Sequence, residues 1–173
     1  MNLSYLCLYS LLLTMKKAFC FSFFLFILAL FSNAQELNKV VVDTTLDRQV
    51  IIGYCDRFGL SWGEFQPFLV EEYDNYEPHP KWIKKSKRKN KDVEVLIVLG
   101  TWCHDSKIQV PRFLKYFDEA GFTEDQLNMI GVDRSKKAGE VDIDSLHIER
   151  IPTFIFFRNE KKLGRIIETP KKS

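Results

Sequence analysis

Apolar positions along this chain change period three times, and each change predicts a different kind of element. An almost unbroken apolar run from Ala18 to Phe31 comes first, preceded by a shorter one from Leu3 to Leu13. After a linker over Gln35–Asp43, Leu46, Val50, Ile51, Tyr54, Cys55 and Phe58 recur at spacings of three and four. That spacing predicts a helix over 44–58 capped by Thr44 or Thr45, with Gly59 at its C-terminal end. A second helix is predicted over about 61–74, with Ser61 and Glu64 as a capping pair and Phe65, Phe68, Leu69 and Tyr73 on its apolar side. Glu77-Pro78-His79-Pro80 is a break, and Lys81 to Lys91 then holds seven basic residues in eleven, read as a solvated helix and loop.

From Asp92 onward the pattern alternates. It predicts a strand over Val93–Leu99, a helix over Ser106–Ala120 and a strand over Gln126–Val132. A helix over about Ala138–His147 follows, then strands over Thr153–Arg158 and Lys162–Glu168 joined at Asn159-Glu160-Lys161. The expected division is a leader over 1–34, an N-terminal helical extension over 35–91 that packs on the core, and a core over 92–173.

Charge and cysteine usage narrow the class. Residues 1–34 contain no acid, carry Lys16 and Lys17 ahead of the long apolar run, and end in Ser32-Asn33-Ala34. This predicts a secretory signal peptide, with Met15 as the better start. An uncleaved membrane anchor is the rival, so contact with a membrane is expected only if the leader is retained. The expected location is outside the inner membrane, in the periplasm. Formal charge for the whole chain is +2, and beyond the leader basic and acidic residues balance. No nucleic-acid partner is therefore expected. Only Cys55 and Cys103 remain past the leader. Two cysteines are too few for a disulfide scaffold, yet suit a redox site in an exported protein.

Trp102-Cys103-His104-Asp105-Ser106 lies where a predicted strand meets a predicted helix. A thiol there is near the first-turn N–H groups and the positive end of the helix dipole, which favour thiolate, the nucleophilic form. About fifty residues later comes Ile151-Pro152-Thr153. Together these segments resemble the active site of the thioredoxin family, in which Trp-Cys-x-x-Cys faces an Ile/Val-cis-Pro-Thr loop. The resemblance covers about residues 92–169. It implies an α/β, thioredoxin-like fold: a mixed central sheet with flanking helices, here with an N-terminal helical extension and without the family's C-terminal helix. The N-terminal helices are expected to cover the sheet face which that missing helix would leave bare.

The resemblance also implies roles. Cys103 is the expected nucleophile, His104 a neighbour whose cationic form would assist the thiolate, and Asp105 a helix-capping acid that opposes it. Trp102, Ile151, Pro152 and Thr153 would form the substrate surface, with Pro152 after a cis bond and Ile151 offering backbone groups to an extended strand. Ser106 stands where the family has its resolving cysteine; its hydroxyl can bond the thiolate but cannot close an internal disulfide. Ile97 replaces the family's buried acid. Cys55 is the candidate resolving thiol, with a buried apolar role as the alternative.

The implied activity is thiol-disulfide exchange, as oxidoreductase or isomerase, through mixed disulfides with disulfide-containing exported proteins or small thiols, and with a separate reductant. A non-catalytic module that binds extended peptides is the other reading. No cofactor is expected, and no metal, since Cys103 and His104 are adjacent and neither His79 nor His147 has ligand spacing to them.

Overall fold

The computed structural model describes residues 36–170; the leader expected over 1–34 lies outside them. Seven strands are present among the described residues. β1 (Val40–Asp43) and β2 (Arg48–Ile51) pair antiparallel as a separate hairpin. β3 (Gly53–Cys55), β4 (Glu94–Leu99), β5 (Leu127–Gly131), β6 (Thr153–Arg158) and β7 (Lys161–Ile167) form one mixed sheet in the order β3-β5-β4-β6-β7. β4 and β5 run parallel, whereas β3 with β5, β4 with β6 and β6 with β7 are antiparallel.

The helices are α1 (Arg57–Leu60), α2 (Gln66–Asn75), α3 (Pro80–Lys87) and α4 (His104–Glu119). α4 connects parallel β4 and β5 as the crossover such a pair requires. Its Val110, Leu114 and Phe117 are buried against Val95, Ile97 and Leu99 of β4. The odd-numbered residues of β4 thus face α4, while Val98 faces the opposite side with Ile130 and Ile151.

The helix predicted over 44–58 does not form, because both ends of the stretch are committed to other conformations. The Asp43 carboxylate accepts the backbone N–H of Thr45 at 2.8 Å and of Leu46 at 3.2 Å, and also bonds the Thr45 hydroxyl and the Arg134 N–H. It builds a turn where the predicted cap lay. Val50, Ile51 and Ile52 then favour extended backbone, and Gly53 takes φ +79°, which a helix cannot accommodate. The linker read over Gln35–Asp43 correspondingly contains β1.

α2 starts later than predicted, after a 3-10 turn over Gly63–Phe65, because Pro67 suits a first helical turn. It packs along α4: Phe68 lies beside His104 and Lys107, and Glu72 pairs with Arg112 at 2.7 Å. Tyr73 donates its hydroxyl to Asp118 at 2.6 Å. The helix predicted over 138–147 is also absent. Gly139 at φ +67° and His147 at φ 49° interrupt it, leaving a 3-10 turn over Asp144–Leu146. Ala138, Ile143, Leu146 and Ile148 still pack on the sheet face opposite α4.

Candidate functional site

β4 ends at Leu99, and the turn Gly100-Thr101-Trp102 delivers Cys103 to the N-cap of α4. Cys103 has extended backbone (φ −83°, ψ 127°), and its carbonyl accepts the Lys107 N–H at 3.0 Å as the first bond of the helix. It thus opens a 16-residue helix, although its side chain makes no capping hydrogen bond to the first turn. The thiol is half-buried.

Opposite stands the loop that opens β6. The Ile151–Pro152 bond is cis, and the Cys103 thiol donates to the Ile151 carbonyl at 3.6 Å. The Thr153 hydroxyl donates to the Arg150 carbonyl at 2.6 Å, and the Glu168 N–H to the Pro152 carbonyl at 2.7 Å. The loop is thus fixed from both sides. Ile151, Pro152 and Thr153 are all buried.

Trp102 is half-buried, with its indole N–H donating to the Val132 carbonyl at 2.9 Å. The Arg134 guanidinium lies 5.0 Å from its ring centroid. Ser106 is fully buried, and its oxygen accepts the Gly100 N–H at 3.2 Å. The hydroxyl is committed to the β4–α4 turn, a structural task that a sequence reading centred on the thiolate does not anticipate. His104 is exposed and meets the Phe68 ring edge-on.

Cys55 is placed elsewhere. It pairs with Met129 across β3 and β5 and lies in the cluster on the α4 face with Ile97 and Leu60, whereas Cys103 packs against the cluster on the opposite face with Val98 and Ile151. Burial pushes the Cys55 thiol up to about 12, with the Asp56 carboxylate adding to the effect. At neutral pH it is a thiol and a packed apolar group, which favours the packing role over the resolving one.

Two contributors escaped the sequence reading. A Cβ on Gly100 would come within 2.7 Å of Ile151 Cδ1 and 2.8 Å of the Trp102 ring, so the absent side chain makes room for both walls of the site. Lys107 is buried, its ammonium 5.1 Å from the Phe68 ring centroid and 3.4 Å from the Glu64 carboxylate. Lys107 was legible as the fourth residue after Cys103, on the same helical face. The glycine announced itself only as the end of a strand. Among the described residues no three His, Cys, Asp or Glu side chains gather as a metal site.

No protein-family model matches the chain, and no curated protein matches it. Solved structures do. A protein of unknown function from Pseudomonas aeruginosa superposes with a TM-score of 0.53 at 16% identity, over 70% of this chain and 75% of that one. An HIV epitope scaffold gives a TM-score of 0.47 at 15% identity, over 63% of this chain and 67% of that one. Mitochondrial thioredoxin 3 from Saccharomyces cerevisiae gives 0.34 at 17% identity, over 56% of this chain and 87% of that one. At these identities the first likeness is one of fold, and the other two carry no argument. What the chain does rests on its own geometry.

Proposed function

We propose that this protein is a thioredoxin-like thiol-disulfide exchange protein that acts through one motif cysteine, Cys103, on disulfide-bearing exported proteins or small thiols. The observation that carries the reading is the pairing of a half-buried thiol at the N-cap of α4 with the Ile151 carbonyl 3.6 Å away. A half-buried thiol facing a cis-proline loop suits an extended peptide that carries the disulfide.

In the exchange, the Cys103 thiolate attacks one sulfur of a substrate disulfide. The new Cys103–substrate S–S bond forms as the old one breaks, and the second substrate sulfur leaves as thiolate. Ser106 cannot resolve this mixed disulfide. A substrate thiol that attacks it completes an isomerisation with no net electron transfer. A separate thiol reductant that attacks it, followed by a second reductant thiol, reduces the substrate by two electrons and becomes a disulfide itself. The acid-free, apolar start of the chain supports export of the protein.

Incubating the folded full chain with oxidised glutathione and mapping adducts by mass spectrometry tests the reading. An adduct mapped to Cys103, removed by added thiol and absent in Cys103→Ser, is expected. A folded chain whose Cys103 stays unmodified, or reacts no faster than Cys55, would overturn exchange chemistry in favour of a peptide-binding module.

A further inference from the structure

α3 has no buried residue, although it runs beside the core. It is secured at its C-terminal end: Ser86 bonds the Tyr116 hydroxyl, the Asn90 side chain donates to the Ala120 carbonyl at 2.8 Å, and Gln126 donates to the Asn90 and Val93 carbonyls at 2.8 Å each. Between this helix, α4 and the outer strands lies a cleft of about 770 Å³, within the ~300–1,000 Å³ range of small-molecule sites. Its walls are aromatic, with Trp82 from α3, Phe113 and Tyr116 from α4, and Phe154 and Phe156 from β6.

The charges around the cleft are unevenly placed. Lys89 and Arg158 line it and have no carboxylate partner among the described residues; Arg158 donates to the Lys89 carbonyl at 3.0 Å, which holds the two together. Arg112 also lines it, but Glu72 neutralises it at 2.7 Å. Glu77, the one carboxylate lining the cleft among the described residues, precedes α3 while Lys89 follows it, so negative and unpaired positive charge sit at opposite ends of that helix. The basic run from Lys81 to Lys91 adds to the positive potential.

We propose that this cleft binds an amphiphilic organic anion, with its alkyl or aryl body against the aromatic walls and its carboxylate or sulfonate head at Lys89 and Arg158. The site is independent of Cys103, and its existence does not depend on the exchange chemistry.

Fluorescence titration of the full chain with 8-anilinonaphthalene-1-sulfonate, followed by competition, tests it. Saturable binding of one dye per chain is expected, displaced by dodecanoate and not by dodecanol. Joint Lys89→Glu and Arg158→Glu replacement should weaken the dye about tenfold or more, the usual scale for losing hydrogen bonds to a charged group. Trp82→Ala should weaken it as well. Trp62→Ala removes an aromatic that is 65% exposed and lies outside the cleft, and should leave binding unchanged. All three variants alter exposed or partly exposed side chains, and an unchanged thermal midpoint verifies folding. No dye binding to the folded chain would overturn the proposal, as would binding that the cleft variants leave intact, equal displacement by dodecanol, or loss only in Trp62→Ala.

Discussion

Cys103 and Cys55 are the same side chain in two regions of one small domain, and their surroundings differ in burial, neighbours and place in the fold. Cys103 sits on a helix end, half-buried, with a carbonyl in front of it. Cys55 sits inside a three-residue strand at the sheet edge, 5% exposed, with its thiol pushed up to about 12. Under the proposed exchange chemistry, reactivity would follow from where the chain ends a strand and starts a helix, not from the presence of sulfur. The contrast can be tested from either side.

The largest effect is expected at Cys103 itself. Cys103→Ser should reduce disulfide exchange to background in a glutathione-adduct assay, while Cys55→Ala leaves the rate unchanged. The latter should cost only about 1 kcal/mol of stability in urea unfolding, a typical buried substitution. If Cys55→Ala instead slowed release of the mixed disulfide at unchanged stability, Cys55 would be the resolving thiol.

Next comes Gly131, the residue of β5 that pairs with Gly53. A Cβ there would lie 2.4 Å from the Ile51 carbonyl oxygen and 2.9 Å from its carbon, and backbone cannot swing aside as a side chain can. Gly131→Ala should cost about 3 kcal/mol, the upper part of the usual overpacking range. Because the clash falls where β2 leads into β3, it should also raise alkylation of Cys55 in the native protein, eroding the difference between the two thiols. An unchanged urea midpoint would show that this approach tolerates a methyl group.

A smaller effect is expected at Gly100, where the obstructing atoms are the tip of Ile151 and the Trp102 ring. Gly100→Ala should cost about 1 kcal/mol, the low end of the same range. It should also blue- or red-shift Trp102 emission and change the rate at Cys103 without exposing Cys55. Trp62→Phe and Trp82→Phe in the background isolate that emission.

These glycines mark the boundary of what the sequence discloses. The strand over Val93–Leu99, α4, and the final hairpin were legible because each keeps one period over several residues, and Trp102-Cys103 falls at a change of period. The stretch over 44–58 was not. Its apolar residues fit a helix by spacing, but the Asp43 turn and the positive φ of Gly53 are decided by contacts with Arg134 and with the β5 edge. The same applies at 138–147, where burial against the sheet came without a helix to deliver it. Ser106 is legible as a hydroxyl in place of a second motif thiol, yet its bond to Gly100 depends on how the turn closes, which no spacing records.

The smallest predicted effect concerns the clamp that links the two regions. Asp118 on α4 accepts both terminal nitrogens of Arg57, at 2.8 and 2.6 Å, and the Tyr73 hydroxyl at 2.6 Å. Arg57 follows β3 by two residues, so this carboxylate ties the Cys55 strand to the helix that begins at Cys103. Partial burial pushes its pKa up, but the hydrogen bonds from Arg57 and Tyr73 and the guanidinium charge outweigh that and hold it below the ordinary value. A carboxyl depressed in the folded state adds stability above its unfolded pKa, about 3.9, and loses it as pH falls through the folded value. The thermal midpoint of the native chain should therefore drop more steeply below about pH 4 than that of Asp118→Asn, and the two should converge in acid. Parallel curves would mean that Asp118 titrates alike in both states and that the clamp contributes geometry without pH-dependent stability.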